Sequence, residues 1–220
     1  MGLPPERFFL TGLFFMSNEA NVFIVDGDAP SRDAIALLTR ARGLRAEAWG
    51  SIDEFLGCYD NQPGCLVVDL ETAEDAQLDL QEELQRRGWR LPVIALMGRA
   101  NTAAVVRAMR QGAVTVLDKP FQAEELAAAV ATAISLDAER RRRDEELASV
   151  RVRFASLSEK ERDVLRMIVA GRPNKAMANS LGASLRTIEN RRREVFSKLG
   201  VRSVAELVTL TLRVKGGEDL

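Results

Sequence analysis

The chain has 220 residues, 46% of them hydrophobic, and a formal net charge of -1, a length that holds one large domain or two ordinary ones. It has no histidine and only two cysteines, which excludes histidine-based catalysis, the commonest zinc sites and a disulfide framework. The charge is divided unevenly: residues 151–220 carry 15 Lys and Arg against 8 Asp and Glu, a balance of +7, and residues 1–150 carry -8. An acidic front half and a basic back half predict two domains with different partners.

The N-terminal run FFLTGLFFM (Phe8–Met16) is far shorter than the roughly 20 residues that span a bilayer, and it lacks an A-x-A-like cleavage site. Residues 1–19 are therefore expected to be an appendage, with Met16 as an alternative start. No membrane partner is expected, and the compartment is expected to be a reducing cytoplasm in which Cys58 and Cys65 are two buried apolar thiols.

From Asn21 onward, strand and helix patterns alternate. Val22–Val25 is a short apolar run that ends in the acids of VDGDAP (Val25–Pro30). Two aspartates at the end of a buried strand point to something positively charged, although here Gly27 separates Asp26 from Asp28. Ala34, Ile35, Leu37, Leu38 and Ala41 have helical spacing, with Gly43 as the stop. Arg45–Trp49 reads as a weak strand, and Ser51 with Glu54 as a capping box. CLVVDL (Cys65–Leu70) is a buried strand and Leu78–Arg87 a helix. LPVIALM (Leu91–Met97) is another strand, after which Asn101 caps a helix ending at Gly112. AVTVLD (Ala113–Asp118) is the fifth strand, followed by Lys119, Pro120 and a helix from about Gln122. Five such pairs predict a doubly wound parallel sheet. Ligands bind outside the carboxyl ends of its strands, where Asp26, Asp69, Met97 and Lys119 fall.

Residues 137–153 contain four arginines followed by three acids, the pattern of a solvated helical linker. Residues 154–215 then predict an all-α, four-helix helix-turn-helix domain, and residues 216–220 a tail. Ser158 with Glu161 forms a capping box for a helix with Val164, Leu165, Ile168 and Val169 inward. Asn174 caps a short helix ending at Gly182, Ser184 caps a longer one reaching Leu199, and Ser203 with Glu206 opens the last. In SLRTIENRRREVFSKLG, Ile188, Val195 and Leu199 share one face, and Thr187, Glu189, Asn190, Arg191, Arg192 and Arg193 project elsewhere. A short helix, a tight turn and a basic helix describe a reader of the DNA major groove.

LSEKERDVLRMIVAGRPNKAMANSLGASLRTIENRRREVFSKLGVRSVAELV resembles the LuxR-type DNA-binding domain of NarL/FixJ response regulators in its LSxxExxVL opening, NKxxA turn region and TIExxR pattern. The resemblance implies that Glu189, Asn190 and Arg193 face base edges, and that Lys175, Thr187, Arg191 and Arg192 lie near phosphates. Arg186 belongs to the same DNA-binding set. The family often has histidine where Arg191 stands. It also implies a homodimer on inverted-repeat sites in double-stranded DNA.

Residues 20–136 resemble the receiver domain of that family, in VDLE around Asp69 and in GAVTVLDKPF (Gly112–Phe121). Asp69 matches the phosphoacceptor and Lys119 the lysine that contacts the phosphoryl group. Asp26, Asp69 and the Glu71 carbonyl match ligands of Mg²⁺, and a sensor histidine kinase is the implied partner. Several departures bear on that chemistry. Gly27 replaces the acid that ligates Mg²⁺ directly, and Asp28 stands one residue too late. Met97 replaces the hydroxyl that contacts the phosphoryl group, Val116 the aromatic that changes rotamer, and Ala73 a proline. The expectation is a transcriptional regulator, not an enzyme, that needs no cofactor and acts independently of ordinary aspartyl phosphorylation. The alternative is a conventional switch phosphorylated on Asp69 with Mg²⁺. An aspartate-nucleophile phosphatase, which Asp69-Leu70-Glu71 faintly resembles, would leave the DNA-binding segment unexplained.

Overall fold

A computed structural model describes residues 20–70, 76–98 and 102–215, and the chain divides into two compact units, Met1–Arg140 and Arg141–Leu220. Residues 1–19, Glu71, Ala73, Asn101 and the tail 216–220 lie outside the described residues. Among the described residues no helix is long and apolar enough to cross a membrane.

In the first unit, apolar strand runs alternate with amphipathic stretches. Parallel pairing with crossover helices buries both faces of the resulting sheet. The strands are β1 (Asn21–Val25), β2 (Arg45–Trp49), β3 (Gly64–Asp69), β4 (Val93–Met97) and β5 (Ala113–Asp118). All pair in parallel, in the order β2-β1-β3-β4-β5. They alternate with α1 (Ala29–Arg40), α2 (Ile52–Cys58), α3 (Ala76–Arg86), α4 (Thr102–Arg110) and α5 (Ala123–Ala155). Successive strand residues face opposite sides. Val22, Ile24, Val67 and Ile94 therefore pack with Ile35 of α1 and Leu126 and Val130 of α5, while Phe23, Leu66 and Val68 pack with Phe55, Leu80 and Leu84 on the other side. The chain leaves β1 toward β2 and returns across it to β3. The crevice at the carboxyl ends of β1 and β3 is thus the switch point where such sheets bind ligands.

Several sequence expectations change. The helix expected from residue 34 forms, but its buried stripe is Ile35, Ala36 and Thr39, and Leu37 is 69% exposed. The stripe is set by which turn of α1 meets the sheet, and an apolar side chain can remain outside it. Cys58 is exposed at the end of α2, and only Cys65 is buried; burial and the nearby Asp137 carboxylate push the Cys65 thiol up to about 12. The stretch 137–153 lies within α5, and its first residue is not solvated. Asp137 is buried and its Oδ2 accepts the Gly64 N–H at 3.0 Å. Gly64 has φ +151°, and a Cβ there would lie 1.9 Å from the Asn21 carbonyl oxygen. Glycine is thus required where β3 starts beside β1, and its amide takes its acceptor from α5.

The second unit holds α6 (Glu159–Val169), α7 (Asn174–Ser180), α8 (Leu185–Leu199) and α9 (Val204–Lys215). Its core gathers Leu157, Val164, Ile168, Met177, Ile188, Val195, Leu199 and Leu207. Val169, expected inward, is 37% exposed at the end of α6. Ser158 and Glu161 make both capping-box bonds. Gly200 ends α8 in the left-handed region at φ +66°. Asn174 is not a cap: Pro173 holds that position without a side-chain bond, and the Asn174 Oδ1 instead accepts from Arg192 Nη1 at 3.3 Å.

Candidate functional site

The pocket of the first unit is built at three strand ends. Asp26 follows β1, Asp69 ends β3 and Lys119 follows β5. Lys119 Nζ reaches Asp26 Oδ2 at 3.0 Å and Asp69 Oδ2 at 2.9 Å, so one ammonium bridges two carboxylates. Lys119 also donates its backbone N–H to the Met97 carbonyl at 2.7 Å, and its bond to Pro120 is cis. Asp26 is 1% exposed. Its Oδ1 accepts the Asp28 N–H at 2.8 Å, and its Oδ2 also accepts the Ser31 hydroxyl at 2.7 Å. Burial opposes the charged form of Asp26, but the bonds from Ser31, Lys119 and Asp28 outweigh it and hold the carboxyl below the usual range. Burial likewise opposes the charged Lys119, but Asp69 and Asp26 raise it above its ordinary value. Both charges are therefore held.

Asp28 is engaged at a helix terminus. It is the N-cap of α1, and its Oδ2 accepts the Ser31 N–H at 3.0 Å. An acid one residue after Gly27 thus serves the helix terminus, as N-cap acids do. Two pocket residues were missed in the sequence, Ser31 and Arg32, whose Nη1 donates to the Asp26 carbonyl at 2.7 Å. Their signal was positional, since both lie in the first turns of the helix that starts beside Asp26.

Mg²⁺, the ion implied by the receiver resemblance, requires near-octahedral oxygen ligands. The described donor set does not fit that requirement. Asp26 already accepts three donors, Asp69 Oδ2 faces an ammonium, Asp28 caps a helix, and Gly27 offers no side chain. Among the described residues no cluster of three His, Cys, Asp or Glu side chains could hold a metal; Glu71 is outside them. Met97, 9% exposed at the end of β4, presents a thioether with no donor.

In the second unit, Ile188, Val195 and Leu199 of α8 are fully buried. That pins one face of α8 and turns another outward. Arg186, Glu189, Asn190 and Arg193 are exposed, Thr187 and Arg191 are half-buried, and Lys175 is exposed on α7. Arg192 differs from its neighbours. Besides its bond to Asn174, its guanidinium lies over the Phe196 ring, 5.4 Å from the centroid. It ties α8 to α7 across the turn between them.

A receiver-type carboxylate pocket in one unit and a helix-turn-helix in the other define a class of two-domain regulators. Residues 22–131 match the response regulator receiver domain, and residues 155–211 match the bacterial regulatory proteins of the luxR family. The response regulator protein TodT of Pseudomonas putida is 33% identical over 207 residues, covering 93% of this chain and 91% of that protein. The transcriptional regulatory protein FixJ of Azorhizobium caulinodans is 34% identical over 198 residues, covering 90% and 94%. A solved structure of the response regulator StyR superposes with a TM-score of 0.79 at 33% identity, covering 89% of this chain and 99% of that one. The chain belongs to the response regulators of the NarL/FixJ type, transcriptional regulators with a receiver domain and a LuxR-type DNA-binding domain.

Proposed function

We propose that this regulator binds inverted-repeat promoter DNA as a cytoplasmic homodimer, and that its receiver unit acts without ordinary aspartyl phosphorylation. The supporting observation is the make-up of the pocket: Gly27 and Met97 stand beside Asp26, Asp69 and Lys119, where phosphoryl transfer would need neutralising metal and donors for developing charge. Gly27 and Met97 supply neither a ligand nor a hydroxyl. The receiver unit then acts as a folded partner or dimerisation module, and its input is protein level, a partner protein or a small ligand.

On the DNA side, Glu189, Asn190 and Arg193 are the proposed readers of base edges, because they occupy the exposed face of α8. Arginine pairs bidentately with guanine and asparagine with adenine. Lys175, Arg186, Thr187 and Arg191 are the proposed phosphate contacts. Arg192 is assigned to positioning α8, since its guanidinium is engaged by Asn174 and Phe196.

One observation favours a second reading, the conventional switch with a kinase partner: Asp69 and Lys119 retain a 2.9 Å pairing. Incubation of the protein with acetyl phosphate and excess Mg²⁺, followed by intact mass, separates the two. The expected result is no adduct in a preparation that still binds DNA. A phosphoryl adduct that vanishes in Asp69→Ala establishes the conventional switch.

A further inference from the structure

Resting on that reading, a further property of the pocket follows from how its charges are neutralised. Two carboxylates face one ammonium, which leaves the trio with a net charge of about -1. The remaining negative charge sits beside donors that belong to the fold. The Ser31 hydroxyl and the Asp28 N–H both point at Asp26. Ser31 is held in place because its own N–H is the one that Asp28 caps, so one helix turn delivers both donors. A divalent ion entering here would compete with an ammonium bonded to the Oδ2 of both acids. Among the described residues no third His, Cys, Asp or Glu side chain joins the two acids to hold it.

We propose that Lys119 is the resident cation of this pocket, that Ser31 completes the hydrogen bonding of Asp26, and that Gly27 is the residue that determines the pocket's low affinity for divalent ions. Gly27 lies next to Asp26 at the mouth of the crevice. A Cβ built there meets no atom within 4 Å, and its backbone is outside the left-handed region. The position therefore accepts a side chain without strain, and its lack of a carboxylate is not imposed by packing. An aspartate at residue 27 would set a third carboxylate beside Asp26 and Asp69 and would add the oxygen ligand that Mg²⁺ lacks.

The test is thermal melting of the full chain, followed by tryptophan fluorescence, with and without ~10 mM Mg²⁺ at constant ionic strength. Both tryptophans, Trp49 and Trp89, lie in the first unit, and the Trp49 carbonyl accepts the Asp26 N–H. The wild-type midpoint is expected to be unchanged by Mg²⁺. Gly27→Asp is expected to gain a saturable rise of roughly 4 °C, lost again in Gly27→Asp combined with Asp69→Ala. A saturable wild-type response at millimolar Mg²⁺ overturns the proposal and needs no variant to be folded. So does a flat response from Gly27→Asp with a native circular dichroism spectrum; if that variant does not fold, Gly27→Asn, which adds one neutral oxygen, takes its place. The acetyl phosphate reaction reads mass, so the two failures are distinct. A wild-type Mg²⁺ response without an adduct overturns only the resident-cation proposal, and an adduct overturns the phosphorylation-independent reading.

Discussion

Arg192 and Arg193 are adjacent in sequence, yet about 100° apart around α8, and their surroundings differ accordingly. Arg193 is exposed, whereas Arg192 is half-buried and bonded to Asn174. Arg193→Ala is expected to weaken binding to a specific site by ~1–3 kcal/mol and to relax sequence preference. Competition between specific and random DNA checks this, and an equal loss on both would assign Arg193 to phosphate. Arg191→Ala is expected to lower the slope of log affinity against log salt by about one unit. Arg192→Ala should leave that slope unchanged and lower the melting temperature of the second unit, because it removes a tie between helices. A salt titration of the two variants side by side decides whether Arg192 touches phosphate.

Helix ends carry the next level of organisation, and α6 shows how. Ser158 and Glu161 cap its first turn reciprocally, and Glu161 Oε2 also takes Lys198 Nζ from α8 at 2.7 Å. The Lys198 ammonium, then the Ser158 N–H, hold Glu161 below the usual carboxylate range. A carboxyl depressed in the folded state adds stability above its unfolded pKa of about 4.3, and that stability is lost as pH falls through the lower folded value. The second unit should therefore melt at progressively lower temperature as pH is taken below about 4.3. Glu161→Gln should flatten this dependence in calorimetric scans across that range. Ser158→Ala should cost about 1 kcal/mol in denaturant unfolding, the usual loss for a cap.

At the scale of the chain, the two units have separate cores, on both faces of the sheet in the first and among the helices of the second. Separate cores predict separate unfolding. Both tryptophans lie in the first unit, so fluorescence follows that unit alone, while far-ultraviolet circular dichroism follows both. The two transitions are expected not to coincide, and a single shared midpoint would mean that the units unfold as one. With a balance of +7 in residues 151–220, the salt dependence of DNA binding is expected to come from that segment.

The order of elements, the parallel sheet, the buried face of α8 and the family resemblance are all legible in the residues alone. Hydrophobic period, cap residues and glycine stops are local signals, and Val22–Val25, Ser158 or Gly200 carry them without help from distant residues. The sequence also placed Asp26, Asp69 and Lys119 at one end of the sheet, because strand ends in a parallel sheet converge. Which groups those residues bond to depends on how the elements pack together. Ser31 reads as an ordinary first-turn serine until α1 is laid beside Asp26. Asn174 reads as a cap until α8 brings Arg192 to it. Asp137 reads as part of a solvated linker until Gly64 presents an amide that needs an acceptor. Each is a polar side chain whose local options are nearly equal in free energy. For Asp137, which is buried, a polar group left unpaired would cost more than any local preference; Ser31 and Asn174, half-buried, take the partner that the packing of α1 and α8 brings within reach.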